Sequence, residues 1–244
     1  MGFSEPGFAT LVNSSMDPVR LARVVAALTT GESDPRPKLC VAAAEVMDVS
    51  GAGVVLILRG RALGTVCVSN AVSETVEELQ YTLGEGPCVD AFQTRAPVLV
   101  PDLDGIDVQR WPQFREGALA AGIRAVFGFP LLVGTVCIGA LNLYHDQTGL
   151  LTDDQFNDAV VVAYVASRAI MAWQSVAGPG SLPWQLEHAD AHRAVVHQAA
   201  GVTSVQAAVT VEDALMLLRA YSFAEDRPIT TVAADVVDGS LRFD

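Results

Sequence analysis

The sequence predicts an α+β protein, an antiparallel sheet flanked by helices and followed by a small three-helix bundle. Three observations carry this. Residues 53–58 and 63–69 are β-branched, apolar runs on either side of Arg59-Gly60-Arg61, and residues 125–132 and 135–144 repeat the arrangement around Val133-Gly134. Such pairs with glycine punctuation read as hairpins, which make antiparallel neighbours. Helical periodicity fills the intervals around them. After Ala177-Gly178-Pro179-Gly180-Ser181-Leu182-Pro183, the best linker in the chain, strand signals cease. The 244 residues, 51% hydrophobic and 18% charged, suit one or two domains with a sizeable core and argue against disorder.

Each element has a local cause. Residues 1–16 read as a flexible tail. Asp17-Pro18 supplies an N-cap and a proline at the first helical position, opening a short apolar helix through Leu28. Gly31 and residues 33–37 end it, and a second helix runs from Lys38 to Met47 with Leu39, Ala42, Ala43 and Val46 on one stripe. Residues 73–81 carry Glu74, Glu77 and Glu78 in their first turns, where carboxylates complement a helix N-terminus. Leu83-Gly84-Glu85-Gly86-Pro87-Cys88 leads into a short helix over 89–94, then a short strand at 97–100 and an acidic loop over 101–110. Residues 111–121 form an amphipathic helix stopped by Gly122. Thr152 and Gln155 form a capping box for a long helix reaching about Ser175. That helix has Phe156, Val160, Ala163, Ile170 and Trp173 on one face and Val161, Val162 and Val165 on another. The sheet covers one side, and a partner subunit is the expected cover for the other. Helical pieces at 184–206, 211–222 and 228–237 follow, with Thr210 and Asp213 capping the middle one. The expected domains are 17–176 and 184–240, joined by a linker at 177–183.

The net charge is −13. Such an excess of acid argues against bulk electrostatic binding to nucleic acid or to an anionic membrane. No run of 18 apolar residues is uninterrupted, and Met1-Gly2-Phe3-Ser4-Glu5-Pro6 lacks the basic and apolar regions of a signal peptide, so a cytoplasmic protein is expected. Cys40, Cys67, Cys88 and Cys137 have no CxxC spacing and sit in apolar surroundings. They read as buried small hydrophobes in a reducing compartment. His188 and His192 stand four apart, but Ala189 occupies the position where a catalytic HExxH needs glutamate. Asp102, Asp104 and Asp107 lack the glycine and glutamate of a calcium loop. No metal site is expected, and no Ser/His/Asp, P-loop or GxGxxG pattern points to an enzyme.

Longer phrases carry a family resemblance. Leu83-Gly84-Glu85-Gly86-Pro87-Cys88-Val89-Asp90-Ala91, Pro97-Val98-Leu99-Val100-Pro101-Asp102-Leu103, Trp111-Pro112-Gln113-Phe114, Gly122-Ile123-Arg124-Ala125-Val126, Phe129-Pro130-Leu131 and Ile138-Gly139-Ala140-Leu141-Asn142-Leu143-Tyr144 resemble, in order and spacing, an actinobacterial-type GAF sensor domain. Gln198-Ala199-Ala200-Gly201-Val202, the run from Glu212 to Ser222 and the run from Ile229 to Val237 resemble an ANTAR domain, a three-helix RNA-binding output module. The resemblance implies a dimeric regulator. Its GAF part senses a signal, and its ANTAR part binds paired RNA stem-loops that compete with a transcription terminator. The homodimer is expected through the GAF and linker helices.

RNA loops are read through unstacked bases, by aromatic faces, arginine planes and close backbone approach. Arg193, Gln198, Gly201, Arg219, Tyr221 and Arg227 are the candidate RNA-binding residues. Tyr221 also falls on the apolar stripe of its helix with Ala214, Leu217 and Leu218. The first ANTAR helix departs from the family: Ala200 stands where relatives carry a basic residue, and Thr203-Ser204 where they carry a larger hydrophobe and methionine. From Trp184 onward four arginines face nine acidic residues, a balance of −5 against the basic footprint RNA binding usually needs. Charging of the histidines on acidification would offset part of it.

In the GAF part, Gly84, Gly86 and Cys88 are the candidate ligand-binding residues, between the sheet and residues 83–107. Helix N-termini there suit an anionic group, and the helix dipole lowers a thiol pKa at Cys88. No cofactor is named by the sequence. Two other readings stay open: a dimeric sensor or protein-interaction module whose output no longer binds RNA, and a cysteine-based GAF reductase of free methionine sulfoxide.

Overall fold

The computed structural model describes residues 15–29, 35–58, 61–176, 191–225 and 227–243. The chain divides into two units, Met1–Pro179 and Gly180–Asp244. The first is built on one antiparallel sheet of β1 (Gly51–Leu58), β2 (Arg61–Val68), β3 (Val98–Val100), β4 (Ala125–Val133) and β5 (Val136–His145), in the order β2-β1-β5-β4-β3. β1 starts earlier than its β-branched run because Gly51 and Ala52 pair with Tyr144 and Leu143 of β5. The turn between β4 and β5 uses Gly134 in the left-handed region (φ 61°), where a glycine has no Cβ to clash.

Alternation along the central strands gives the sheet two buried faces. α1 (Pro18–Thr29), α2 (Pro35–Met47) and α6 (Asp153–Val176) lie on one. α3 (Ala71–Leu83), α4 (Pro87–Thr94) and α5 (Pro112–Ala120) cover the other. On the first face, Phe129 of β4 packs its ring 5.6 Å from that of Phe156. The capping box of α6 is reciprocal: the Thr152 N–H donates to Gln155 Oε1 at 2.9 Å, and the Gln155 N–H donates to Thr152 Oγ1 at 3.2 Å. Asp17 caps α1 through the N–H of Val19 and Arg20. α1 is then clasped to α6. Arg20 donates to Asp154 at 2.7 Å and to the buried Asp158 at 2.5 Å, and Arg23 also reaches Asp158 at 2.5 Å.

Two expectations change. On the second apolar surface of α6, Val161 and Val162 are buried and Val165 half-buried within this chain, where α1 and α2 pack on the helix. The four cysteines are not all free. Cys40 of α2 is disulfide-bonded to Cys67 of β2, with Cα atoms 5.7 Å apart, while Cys88 and Cys137 are thiols. That separation lies in the range a disulfide needs. A span of 27 residues hid the pair, because it closes only when β2 pairs with β1 and α2 folds across them.

The second unit contains α7 (Ala191–Gln206), α8 (Val211–Ala224) and α9 (Ile229–Val237). Its core is Val196, Ala199, Ala200, Ala214, Leu218, Ile229, Val232, Ala233 and Val236, at helical spacing on each element. Thr210 Oγ1 caps α8 by accepting the Asp213 N–H at 3.1 Å. The expected linker, residues 184–190 of the first helical piece, His188 and most of the tail lie outside the described residues.

Candidate functional site

The face of the sheet under α3 and α4 holds a buried polar cluster. Glu77 of α3 accepts hydrogen bonds from Asn142 Nδ2 at 2.8 and 3.0 Å, from Gln80 Nε2 at 3.2 Å and from the Tyr144 hydroxyl. Glu77, Gln80, Asn142 and Tyr144 are all buried. Gly53 makes room for the carboxylate: a Cβ there would lie 2.1 Å from Glu77 Oε1. Burial, reinforced by the Glu77 charge, holds the Tyr144 phenol well above its ordinary pKa.

The candidate ligand residues sit beside this cluster. Gly84 ends α3 in the left-handed region (φ 68°), its N–H donating to Gln80 O at 2.9 Å. Gly86 precedes α4 at φ 127°, and a Cβ there would meet Gln80 Oε1 at 2.7 Å. Gln80 Oε1 accepts the Cys88 N–H at 2.9 Å, and Glu85 Oε1 accepts the Gln113 and Phe114 N–H groups at 2.9 and 2.8 Å. The starts of α4 and α5, offered by the sequence as anion sites, thus bind the protein's own oxygens. Burial raises the Cys88 thiol well above its ordinary pKa, helped by the charges of Glu77 and Asp90. This reverses the lowered pKa expected from the helix start, since the nearby backbone amides pull the other way with less effect.

Sequence reasoning missed Gln80, Asn142 and Tyr144 as a polar set and read Glu77 only as a charge near a helix start. A signal was present. Gly51 and Gly53 interrupt a strand, which marks close approach by another group. The acidic loop resolves into local turns: Asp102 Oδ1 accepts the N–H groups of Asp104 and Gly105, Asp107 Oδ1 accepts that of Gln109, and Asp104 pairs with Arg115.

In the second unit, α7 carries Arg193, Gln198 and Gly201; the Arg193 side chain lies outside the described residues. Gln198 is exposed and Gly201 half-buried, three residues apart on one face. A Cβ on Gly201 would meet nothing within 4 Å beyond the adjoining backbone of its own helix. Arg219 of α8 is half-buried, with its Nε shielded from solvent. Tyr221 is half-buried with its ring 5.5 Å from that of Phe243, so the exposed aromatic of α8 is instead Phe223, at 59%. Arg227, between α8 and α9, pairs with Asp235. Only Gln198 and Gly201 of the six candidates are thereby brought together on one described helix face. α7 has no acidic residue; the acids of this unit's described helices lie on α8, α9 and their ends.

The GAF domain model matches residues 34–170, more than half of the chain, and the ANTAR domain model matches residues 184–237. The chain belongs to the GAF family, with an ANTAR domain after it. The GAF domain from a phosphoenolpyruvate-protein phosphotransferase of Coxiella burnetii is 14% identical, covers 66% of this chain and 96% of its own, and superposes with a TM-score of 0.50. The corresponding Acinetobacter domain is 15% identical over 65% of this chain and 95% of its own, with a TM-score of 0.49. A type II free methionine-R-sulfoxide reductase from Thermoplasma acidophilum is 12% identical over 65% and 93%, with a TM-score of 0.38. The Coxiella likeness shows the fold alone. No curated protein matches the chain. A GAF domain followed by an ANTAR domain is the pairing of a signal-sensing regulator. Among the described residues no helix is long and apolar enough to cross a membrane.

Proposed function

We propose that this GAF–ANTAR protein is a cytoplasmic, homodimeric transcription antitermination regulator. The ANTAR unit binds paired RNA stem-loops, and the GAF unit sets that binding in response to a signal. The observation that carries the reading is the composition of α7. In a unit whose charge balance is −5, the described stretch of this helix, Ala191–Gln206, carries no carboxylate and presents Gln198 and Gly201 on one face. Phosphates can approach such a face without meeting fixed negative charge. A glycine there admits the RNA backbone or a base at close range. Arg193 in the first turn of the same helix and Arg219 on α8 supply positive charge; Arg227 contributes less, since Asp235 already neutralises it.

The test is a gel shift of the full chain with a paired stem-loop RNA at low salt. Binding is expected, with a loss of about tenfold on Arg219→Ala. Absence of binding even at low salt, where phosphate attraction is greatest, would overturn the reading.

One observation favours the interaction-module alternative. Met216, Leu217 and Phe223 form an exposed apolar stripe on α8, between Asp213 and Glu225. Exposed apolar surface with an acidic rim suits a protein partner better than RNA.

A further inference from the structure

The Cys40–Cys67 disulfide is the covalent link between the helical layer of the GAF unit and an edge of its sheet. Both residues are nearly buried, Cys40 at 0% and Cys67 at 7% exposed. β2 is an edge strand, paired only with β1. The pairing slips beside Cys67: Val54 faces Cys67 while Val55 faces Thr65, leaving Val66 as the extra residue of a bulge. Bulges and edges are where a ladder opens locally with least cost. The sulfur of Cys67 therefore sits where a small opening exposes it, while Cys40 lies on the buried side of α2. α2 itself packs on β1, β2 and α6.

We propose that this pair is a reversible redox latch on α2. The proposal rests on the RNA reading for one point: a protein acting on nascent RNA works in a reducing compartment, where disulfides that form are transient or regulatory. The step is thiol–disulfide exchange with a dithiol reductant of the thioredoxin class. One thiolate attacks Cys67 Sγ, the Sγ–Sγ bond breaks, and Cys40 leaves as a thiolate that takes up a proton. The second thiolate of the reductant attacks the mixed disulfide and releases Cys67, which is also protonated. Two electrons and two protons pass to the pair, and the dithiol becomes a disulfide. Cys88 and Cys137 take no part. With the bond open, the covalent tie between α2 and β2 is gone and their packing remains.

Thiol counting by intact mass tests this on the full chain. The protein is equilibrated in glutathione buffers across the intracellular range, denatured and alkylated. Two labels at the oxidising end and four at the reducing end are expected, with the change inside the range. Amide exchange in α2 and β2 should rise about tenfold in the reduced form, and Cys40→Ser should behave as reduced in every buffer. Four labels throughout would mean that the bond does not form, and two throughout that it is a fixed staple. Either result overturns the latch, as does α2 exchange that is unchanged by reduction. None of these readouts uses RNA. A chain that fails to shift stem-loop RNA in both redox forms defeats the RNA reading, while the label counts still decide the latch.

Discussion

At Gly201 an added methyl group would meet no atom within 4 Å beyond the adjoining backbone of its own helix, so packing inside the ANTAR unit does not demand glycine there. Glycine in a helix interior costs about 1 kcal/mol relative to alanine. Gly201→Ala should therefore raise the stability of this unit by about that amount in thermal or urea unfolding. If the open face is an RNA-contacting surface, the same substitution lowers RNA affinity, so stability and binding move in opposite directions. Cys88 gives a prediction of the other sign. Its thiol is held well above its ordinary pKa by burial. An unfolded chain releases that proton near about pH 8.5, and the folded chain keeps it. Stability is complete below that pH and falls as pH rises above it. A urea-midpoint titration should show this decline, and Cys88→Ala should reduce it, the part that remains coming from the Cys137 thiol, which burial also raises.

The clasp between α1 and α6 is an element-level feature with a single weak point. Asp158 is 5% exposed at its side chain and receives both Arg20 and Arg23. Asp158→Asn leaves two guanidinium groups without their shared carboxylate. Arg23 is half exposed and recovers solvation, so the cost is set near about 2–3 kcal/mol, below that of a fully buried pair. Amide exchange in α1 should accelerate while that of the β4–β5 hairpin stays slow. The cap of α8 is a second case: Thr210→Ala should cost about 1 kcal/mol in the ANTAR unit. Most of these elements were legible in the sequence, because caps, glycine stops and alternating strands are local signals. The Thr152–Gln155 box, the Gly122 stop and both hairpins depend on neighbours a few residues away. The clasp, the disulfide and the Glu77 cluster were not legible, since Arg20 and Asp158, Cys40 and Cys67, or Glu77 and Asn142 meet only through tertiary folding.

For the whole molecule, the question left by the sequence was whether so acidic a chain binds RNA. The net charge of −13 is unevenly placed: −8 precedes Trp184 and −5 follows it. Within the later part, α7 carries none of the acid. This predicts a shallow salt dependence. The unit has four arginines, and Arg227 is already paired to Asp235. The slope of log affinity against log salt should be weaker than about −3 per chain, since each neutralised phosphate contributes about −0.7 to −0.9. A steeper slope would mean that cations outside this unit touch the RNA. The candidate site was only partly readable for the same reason. Residue types named the RNA candidates, but exposure separates Phe223 from Tyr221, and exposure depends on how three helices pack.

The seating of α3 on β1 has a mechanical consequence. Ser73 and Glu77, four residues apart, rise about 6 Å along a helix. Gly51 and Gly53, two residues apart, rise about 6.7 Å along a strand. A Cβ on Gly51 would meet Ser73 Oγ at 2.3 Å, and one on Gly53 would meet Glu77 Oε1 at 2.1 Å, so the two side chains drop into two adjacent notches of matching pitch. The next residue of β1 on this face is Val55, so a slide of two strand residues would drive the Glu77 peg against its side chain. α3 is thus keyed to one register on the strand, like a tooth seated in its slot. Movement of this helix along β1 must first lift Glu77 out of its notch at Gly53.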